Sequence, residues 1–226
     1  MNYVFAVIGK LPVEGYSKTR LAREVGKEVA YDLYDAFIRD FFKNFAENRL
    51  ADYLYFSATP SFEQTTTYFN RVFKSNGIEN FHLTYQKELP FFERIMDFLL
   101  EIDSKERDTF IHLTGTDIPD FPFEVVGEVE LSNKTVTIGP DLDGGFYYLG
   151  LHQNNYELLK IAQLLQDQNC TPFEALKIKA YQMGLDVKVL KEWSDIDTLA
   201  GLKSCINRSP AEVIPQTSKY FQSLSL

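Results

Sequence analysis

Lys10, Lys18 and Arg20 crowd one short stretch near the start of the chain, GKLPVEGYSKTRL, residues 9–21. Cations beside backbone amides at the entry to a helix make a site for a polyanion. The spacing is not that of a nucleotide P-loop: Tyr16 and Ser17 stand between Gly15 and Lys18, where that motif joins glycine directly to lysine. A basic loop that only offsets an acidic protein would read the same way, so the loop alone leaves both meanings open. A second stretch, HLTGTDIPDFP, ends an apolar run on Thr116 and Asp117. A carboxylate there suits Mg²⁺ or Mn²⁺, hard cations that take oxygen ligands and share them with phosphates. The plain alternative is a helix cap, which Asp120 suits better.

Two further stretches add acids. In GPDLDGGFYYLG, Asp141 and Asp143 precede Gly144 and Gly145. Asp-Gly is a strong hairpin signal, yet a backbone without side chains also lets a ligand come close. In WSDIDT, Asp195 and Asp197 stand two residues apart before a helical pattern. Such acids are commonly N-caps; they could also complete a metal site with Asp117. Other chemistries lack their parts. No G-x-G-x-x-G, zinc-ligand spacing, G-x-S-x-G or H-E-x-x-H occurs, and His82, His112 and His152 are isolated.

The elements that must position these residues alternate. Short apolar runs (YVFAVIG, DYLYFSAT, FHLTYQ, DTFIHLTG, KTVTIGP, GGFYYLGL, DVKVL) read as strands. Between them lie helical patterns. One long helix is expected over about Thr19 to Glu47, with Leu33, Phe37, Phe41 and Phe45 on one face. Another opens at Pro90, one covers Phe123 to Leu131, and one runs from Thr171-Pro172 to Gly184. Alternation of this kind predicts an α/β fold, a sandwich on a mostly parallel central sheet. Ligands of such sheets bind at the carboxyl ends of the strands. One domain over residues 1–206 is expected, with a polar tail at 207–226.

Bulk properties narrow the function. A net charge of −9 argues against a broad nucleic-acid or anionic-membrane surface, so any phosphate site must be local. Apolar residues make up 45% of the 226, ample for one core. Two cysteines are too few for a disulfide framework. No membrane span is visible, and a cytoplasmic protein is the expectation.

Taken in order, the four stretches resemble the motifs of a bacterial glycosyltransferase family of nucleotide-diphospho-sugar transferase (GT-A) fold, similar to phospholactate guanylyltransferase. The residues that carry the likeness are Lys10-Leu11-Pro12, Gly15, Lys18-Thr19-Arg20-Leu21, Gly115-Thr116-Asp117-Ile118-Pro119, Gly139-Pro140, Asp143-Gly144-Gly145-Phe146-Tyr147, Gly150-Leu151 and Asp195-Ile196-Asp197-Thr198. The resemblance implies a nucleotide held by Lys10, Gly15, Lys18, Arg20 and Thr116. It implies a metal, Mg²⁺ or Mn²⁺, on Asp117, Asp195 and Asp197. Asp143 would be catalytic, with Gly144 and Gly145 bordering the acceptor or sugar. The donor would be a nucleotide-sugar, or a nucleoside triphosphate in a nucleotidyl transfer, and the acceptor a small molecule; a binder without turnover is the third reading. At the third strand-to-helix junction, YQKELPFFERIM keeps Gln86 and Arg94 but lacks the family's glycines. A bulkier, more charged loop is therefore expected near the nucleotide base.

Overall fold

The computed structural model describes residues 2–48, 50–51, 53–130, 132–166 and 168–224. Seven strands form one sheet: β1 (Asn2–Lys10), β2 (Tyr53–Thr59), β3 (Phe81–Tyr85), β4 (Thr109–Gly115), β5 (Thr135–Pro140), β6 (Phe146–His152) and β7 (Asp186–Val189). Their order is β3-β2-β1-β4-β6-β5-β7. Only β6 runs against its neighbours; the other pairings are parallel. The chain steps outward from β1 to β3 and then returns to the other side of β1 as β4. The crevice between β1 and β4 is thus the point where strand order reverses, the usual ligand position in open α/β sheets.

Side chains alternate across the pleat, so each strand feeds two cores. Phe5 and Val7 face one core; Val4 and Ala6 face the other. The first is covered by α2 (Lys27–Asn48), α3 (Glu63–Ser75) and α8 (Leu199–Arg208), the second by α4 (Phe91–Asp103), α6 (Glu157–Gln166) and α7 (Pro172–Gln182). The result is a three-layer α/β/α sandwich with a mostly parallel central sheet. On α2, Leu33, Phe37, Phe41 and Phe45 recur every four residues and are buried, the stripe that commits a helix to a core. Burying a phenylalanine fully is worth about 1.5–3 kcal/mol, and Phe37, Phe41 and Phe42 are all 0% exposed.

Two local expectations are corrected. The long helix from Thr19 is two: α1 (Thr19–Val25) ends at Gly26, whose φ of 91° breaks the helix before α2 begins. The helix expected from Phe123 stops early, as α5 (Phe123–Gly127); Leu131 lies outside the described residues. α3 buries Tyr68, Phe69, Val72 and Phe73. Beyond residue 206 the described chain runs to residue 224. It holds α9 (Pro215–Ser223), docked on α2 through two polar residues of that helix. Asp40 accepts from the backbone amides of Gln216 (3.0 Å) and Thr217 (2.8 Å), supplying the missing partners of a helix start. Asn44 donates to the carbonyls of Pro119 (3.0 Å) and Val213 (2.9 Å). Among the described residues, no helix is long and apolar enough to cross a membrane.

Candidate active site

The basic loop is folded by its small and polar residues. Gly9 has no room for a side chain: a Cβ would lie 2.7 Å from the Phe56 ring and 2.9 Å from Thr116 Oγ1. Ser17, buried in the turn, donates to the Leu11 carbonyl (2.8 Å) and accepts from the Val13 amide (3.2 Å). The chain then reaches Lys18, whose φ of 50° and ψ of 48° are left-handed, a conformation that ordinary side chains adopt at a cost. That backbone turns the Lys18 side chain inward, where it is 5% exposed. The seven-residue α1 begins immediately after it, with Lys18 itself at the cap and no side chain bonded to the first amides.

Across the crevice, β4 ends in Gly115, Thr116 and Asp117. A Cβ on Gly115 would sit 2.7 Å from Asp117 Oδ1, so glycine here lets the carboxylate fold back over the strand end. Thr116 Oγ1 shares a hydrogen bond with the Tyr34 hydroxyl (3.0 Å), which also accepts from the Lys10 amide (3.2 Å). One phenol from α2 thereby ties the ends of β1 and β4 together. The Asp117 carbonyl accepts from the Ile196 amide (3.1 Å). This bond lays the segment Asp195-Ile196-Asp197 alongside, with Ile196 fully buried and both acids turned to the cavity. In an extended chain, residues two apart share a face. That is why acids at this spacing arrive together. They do not cap α8; Thr198 does, accepting from the Gly201 amide (3.1 Å).

Asp117, from one segment, and Asp195 and Asp197, from another, place carboxylate oxygens within 4.8 Å of one another. Lys18 Nζ lies 3.0 Å from Asp117 Oδ2 and 2.7 Å from Asp197 Oδ1. Arg20, at the rim, pairs with Asp197 and with Asp143 (3.1 Å). Asp195 makes no ion pair among the described residues. The electrostatics follow. Burial lifts the Asp117 carboxyl, but the Lys18 charge and hydrogen bond outweigh it and hold it below the usual carboxylate range. Burial, then the neighbouring Asp117 charge, pushes Asp195 up to about 7. Burial also opposes the charge on Lys18, yet three surrounding aspartates keep its ammonium well above the ordinary lysine value. Tyr34 is pushed up to about 12 by burial and by Asp117.

These groups line a cavity of about 480 Å³ at the carboxyl edge of the sheet. Of the residues singled out from the sequence, Lys10, Lys18, Arg20, Thr116, Asp117, Gly145, Asp195 and Asp197 line it. Three do not. Gly15 turns the loop at φ 72° beside the Lys27 side chain, and Gly144, at φ 81°, packs on Thr171. Asp143 stands on the rim with its side chain 62% exposed, held by Arg20. The acid of that turn that does face the cavity is Asp141, with its carboxyl raised by burial. The turn signal drew attention to Asp-Gly, and nothing in the local pattern distinguished the acid two residues earlier. Tyr34 and Arg94 also line the site. Tyr34 reads in sequence as one more aromatic of the α2 stripe, although its hydroxyl is what joins two strands. Asp120, expected as a cap, is instead a buried partner of Arg208.

The QKELP loop differs from expectation as well. Gln86 Nε2 donates to the carbonyls of Gly9 (3.0 Å) and Ser57 (2.9 Å), stitching three strand ends. Lys87 turns outward to Asp97 (2.5 Å). The cavity receives Phe91 and Arg94 from the first turn of α4, with the guanidinium 6.0 Å from the ring centroid. The added charge of the loop thus points away from the cavity.

The profile of a bacterial family, DUF2064, described as "Uncharacterized protein conserved in bacteria", matches residues 53–164. No curated protein matches the sequence. Solved structures share the fold along nearly the whole chain. A "putative nucleotide-diphospho-sugar transferase" from Desulfovibrio desulfuricans G20 is 24% identical, with a TM-score of 0.75, covering 99% of this chain and 98% of its own. A nucleotidyl transferase from Methanothermobacter thermautotroptrophicus is 13% identical with a TM-score of 0.55, covering 92% and 100%. The inositol-1-phosphate CTP transferase of T. maritima is 13% identical with a TM-score of 0.51, covering 98% of both. At these identities the likeness is one of fold.

Proposed function

We propose that this protein is a metal-dependent transferase whose donor is a nucleotide-diphospho-sugar and whose acceptor is a small molecule. One observation carries the reading: three carboxylates from two distant segments meet in a cavity at the point where strand order reverses, with lysine and arginine beside them. Convergent oxygens with no histidine or cysteine among them fit a hard divalent cation, Mg²⁺ or Mn²⁺. Bound on Asp117, Asp195 and Asp197, such a cation would neutralise charge gathering on the phosphate oxygens of a leaving diphosphate. The remaining work falls to side chains. Lys18 and Arg20 bind the diphosphate oxygens, and Lys10 meets the donor at the mouth of the cavity. Thr116 and Tyr34 hold the two strand ends at a fixed separation, which preserves the alignment of donor and acceptor. The Gly145 backbone borders the sugar or acceptor. Asp143, near the acceptor's point of entry, is the candidate to accept the proton of the attacking hydroxyl, and Arg20 holds it in place.

A nucleotidyl transfer is the second reading, favoured by the fold shared with two transferases of that description. The same residues would serve it, because both reactions stabilise charge on phosphate. The deciding experiment measures melting temperature against nucleotide-sugars and nucleoside triphosphates, with and without Mn²⁺, followed by product analysis. A ligand that binds only the folded state raises the melting temperature by mass action. A metal-dependent shift with one nucleotide-sugar, and release of the nucleoside diphosphate on adding acceptors, is the expected result. Shifts with triphosphates alone and release of pyrophosphate would replace it with the second reading. No shift with any ligand would overturn both.

A further inference from the structure

The ammonium of Lys18 holds two of the carboxylates a metal ion would need. Its Nζ is 2.7 Å from Asp197 and 3.0 Å from Asp117, two of the three acids whose carboxylate oxygens come within 4.8 Å of one another. A divalent ion bound to the same oxygens would sit roughly 2.0–2.6 Å from each. Ion and ammonium cannot be there together. We infer that Lys18 is the site's resident counter-ion, and that it must be exchanged for the metal when the donor binds. The inference rests on the metal-dependent reading above and adds what that reading leaves open, the order and coupling of binding.

Three observations support the exchange. First, the Lys18 backbone is left-handed, a conformation glycine would adopt at no cost; a lysine is kept there with its side chain directed inward. Second, Lys18 has nowhere dry to retreat to. Its ammonium lies 5.8 Å from the Tyr34 ring centroid, and its hydrogen bonds are to the carboxylates that the ion would take. Displacing a buried ammonium without a new partner is costly. Third, Lys18 itself lines the cavity that the proposed diphosphate would fill. Metal alone therefore has to strand the ammonium. Metal arriving with phosphate gives the ammonium a new anion, so the two ligands assist each other. Coupling of this kind is reciprocal and commonly spans about 5–150-fold.

The test is calorimetric titration with MnCl₂, alone and in the presence of UDP, GDP or CDP. For the natural protein, affinity for Mn²⁺ is expected to rise by about tenfold or more when the favoured diphosphate is present. Lys18→Met should bind Mn²⁺ alone at least about tenfold more tightly than the natural protein, and the diphosphate should no longer improve it. Lys87→Gln removes the same charge from a side chain turned away from the cavity, and should change Mn²⁺ affinity by less than about threefold. Lys18→Gln serves the same purpose as the methionine variant if that one fails to fold by circular dichroism. If neither Lys18 variant binds Mn²⁺ more tightly than the natural protein, or if Lys87→Gln gains as much, the exchange is wrong. If the natural protein binds Mn²⁺ tightly alone and Asp117→Asn abolishes it, the metal site stands and only the exchange falls. If no protein binds Mn²⁺ under any condition, the proposed function falls with it.

Discussion

Two groups of charge, one around Asp120 and buried, the other around Asp117 and half-buried, lie close together and are built differently. Asp120 and Arg208 form one. Asp120 accepts from Arg208 Nε (2.6 Å) and Nη2 (2.9 Å) and from the Ser209 hydroxyl (2.6 Å), with its side chain 1% exposed. Arg208 gives its other hydrogens to Ser194 and lies 4.8 Å from the Trp193 ring centroid. Charge is matched one to one and nearly every polar atom is used. Three residues before Asp120, Asp117 joins Asp195 and Asp197 around Lys18 in the other group. There the acids outnumber the buried cation, and one of them has no ion pair. A saturated pair outside the cavity holds segments in place; an undercompensated cluster inside it retains affinity for a cation. Burial alone does not separate structural acids from functional ones, whereas the balance of partners does.

That contrast can be broken most directly at the saturated pair. Arg208→Ala should destabilise the protein by about 3–5 kcal/mol, because Asp120 is left buried without its counter-charge. Urea denaturation measures it, and a loss under about 1 kcal/mol would make the pair no more structural than the cluster. At the cluster, Asp117→Asn should cost less ligand-free stability than the Arg208 change, because Asp197 still faces Lys18, and should remove metal-dependent stabilisation by nucleotide, about 2.7 kcal/mol at a hundredfold excess over Kd. A thermal shift that survives the change would move the ligand role elsewhere.

The pH dependence sharpens the same contrast. Asp195 carries a carboxyl raised to about 7 by burial and Asp117, against an unfolded value near 3.9. The folded state therefore binds its proton more tightly than the unfolded chain does. The associated stability is fully present below the unfolded value and is lost as pH rises through about 7. Asp195→Asn should abolish this decline and raise metal-free stability at pH 8 by about 0.5–2 kcal/mol, at the expense of metal binding. Parallel melting curves from pH 5 to 8 for the two proteins would show it, and identical slopes would count against it. The smallest effect belongs to the rim. Asp143→Asn should cost less than about 1 kcal/mol of stability, since its pair with Arg20 is exposed, while slowing turnover with the donor that binds.

Much of this was legible in the sequence. Alternating apolar runs and helical periods specify the layers, because period two and period 3.6 are properties of the backbone. The four stretches converge because each leaves a strand at the same edge of the sheet. The rest depends on contacts between distant residues. Tyr34 and Phe37 read alike on the α2 stripe, and only the packing separates a hydroxyl that joins strands from a ring that fills a core. Asp40 and Asn44 looked like polar interruptions, but they are what dock α9, a segment whose own residues gave little sign of packing. Gly26 breaks the helix although the apolar period continues past it. Asp141 and Asp143 differ by two positions and share a composition; which one enters the cavity is set by the turn around Gly144 and Gly145.

Ile196 lies sealed in the core with an acid on each side. A one-residue slip of this segment against the Asp117 carbonyl would reverse which side chains face inward, turning the isoleucine to the cavity and an aspartate toward the core. The anchor that prevents it is the Ile196 amide, while the connection from β7 can gain or lose a residue without changing that phase.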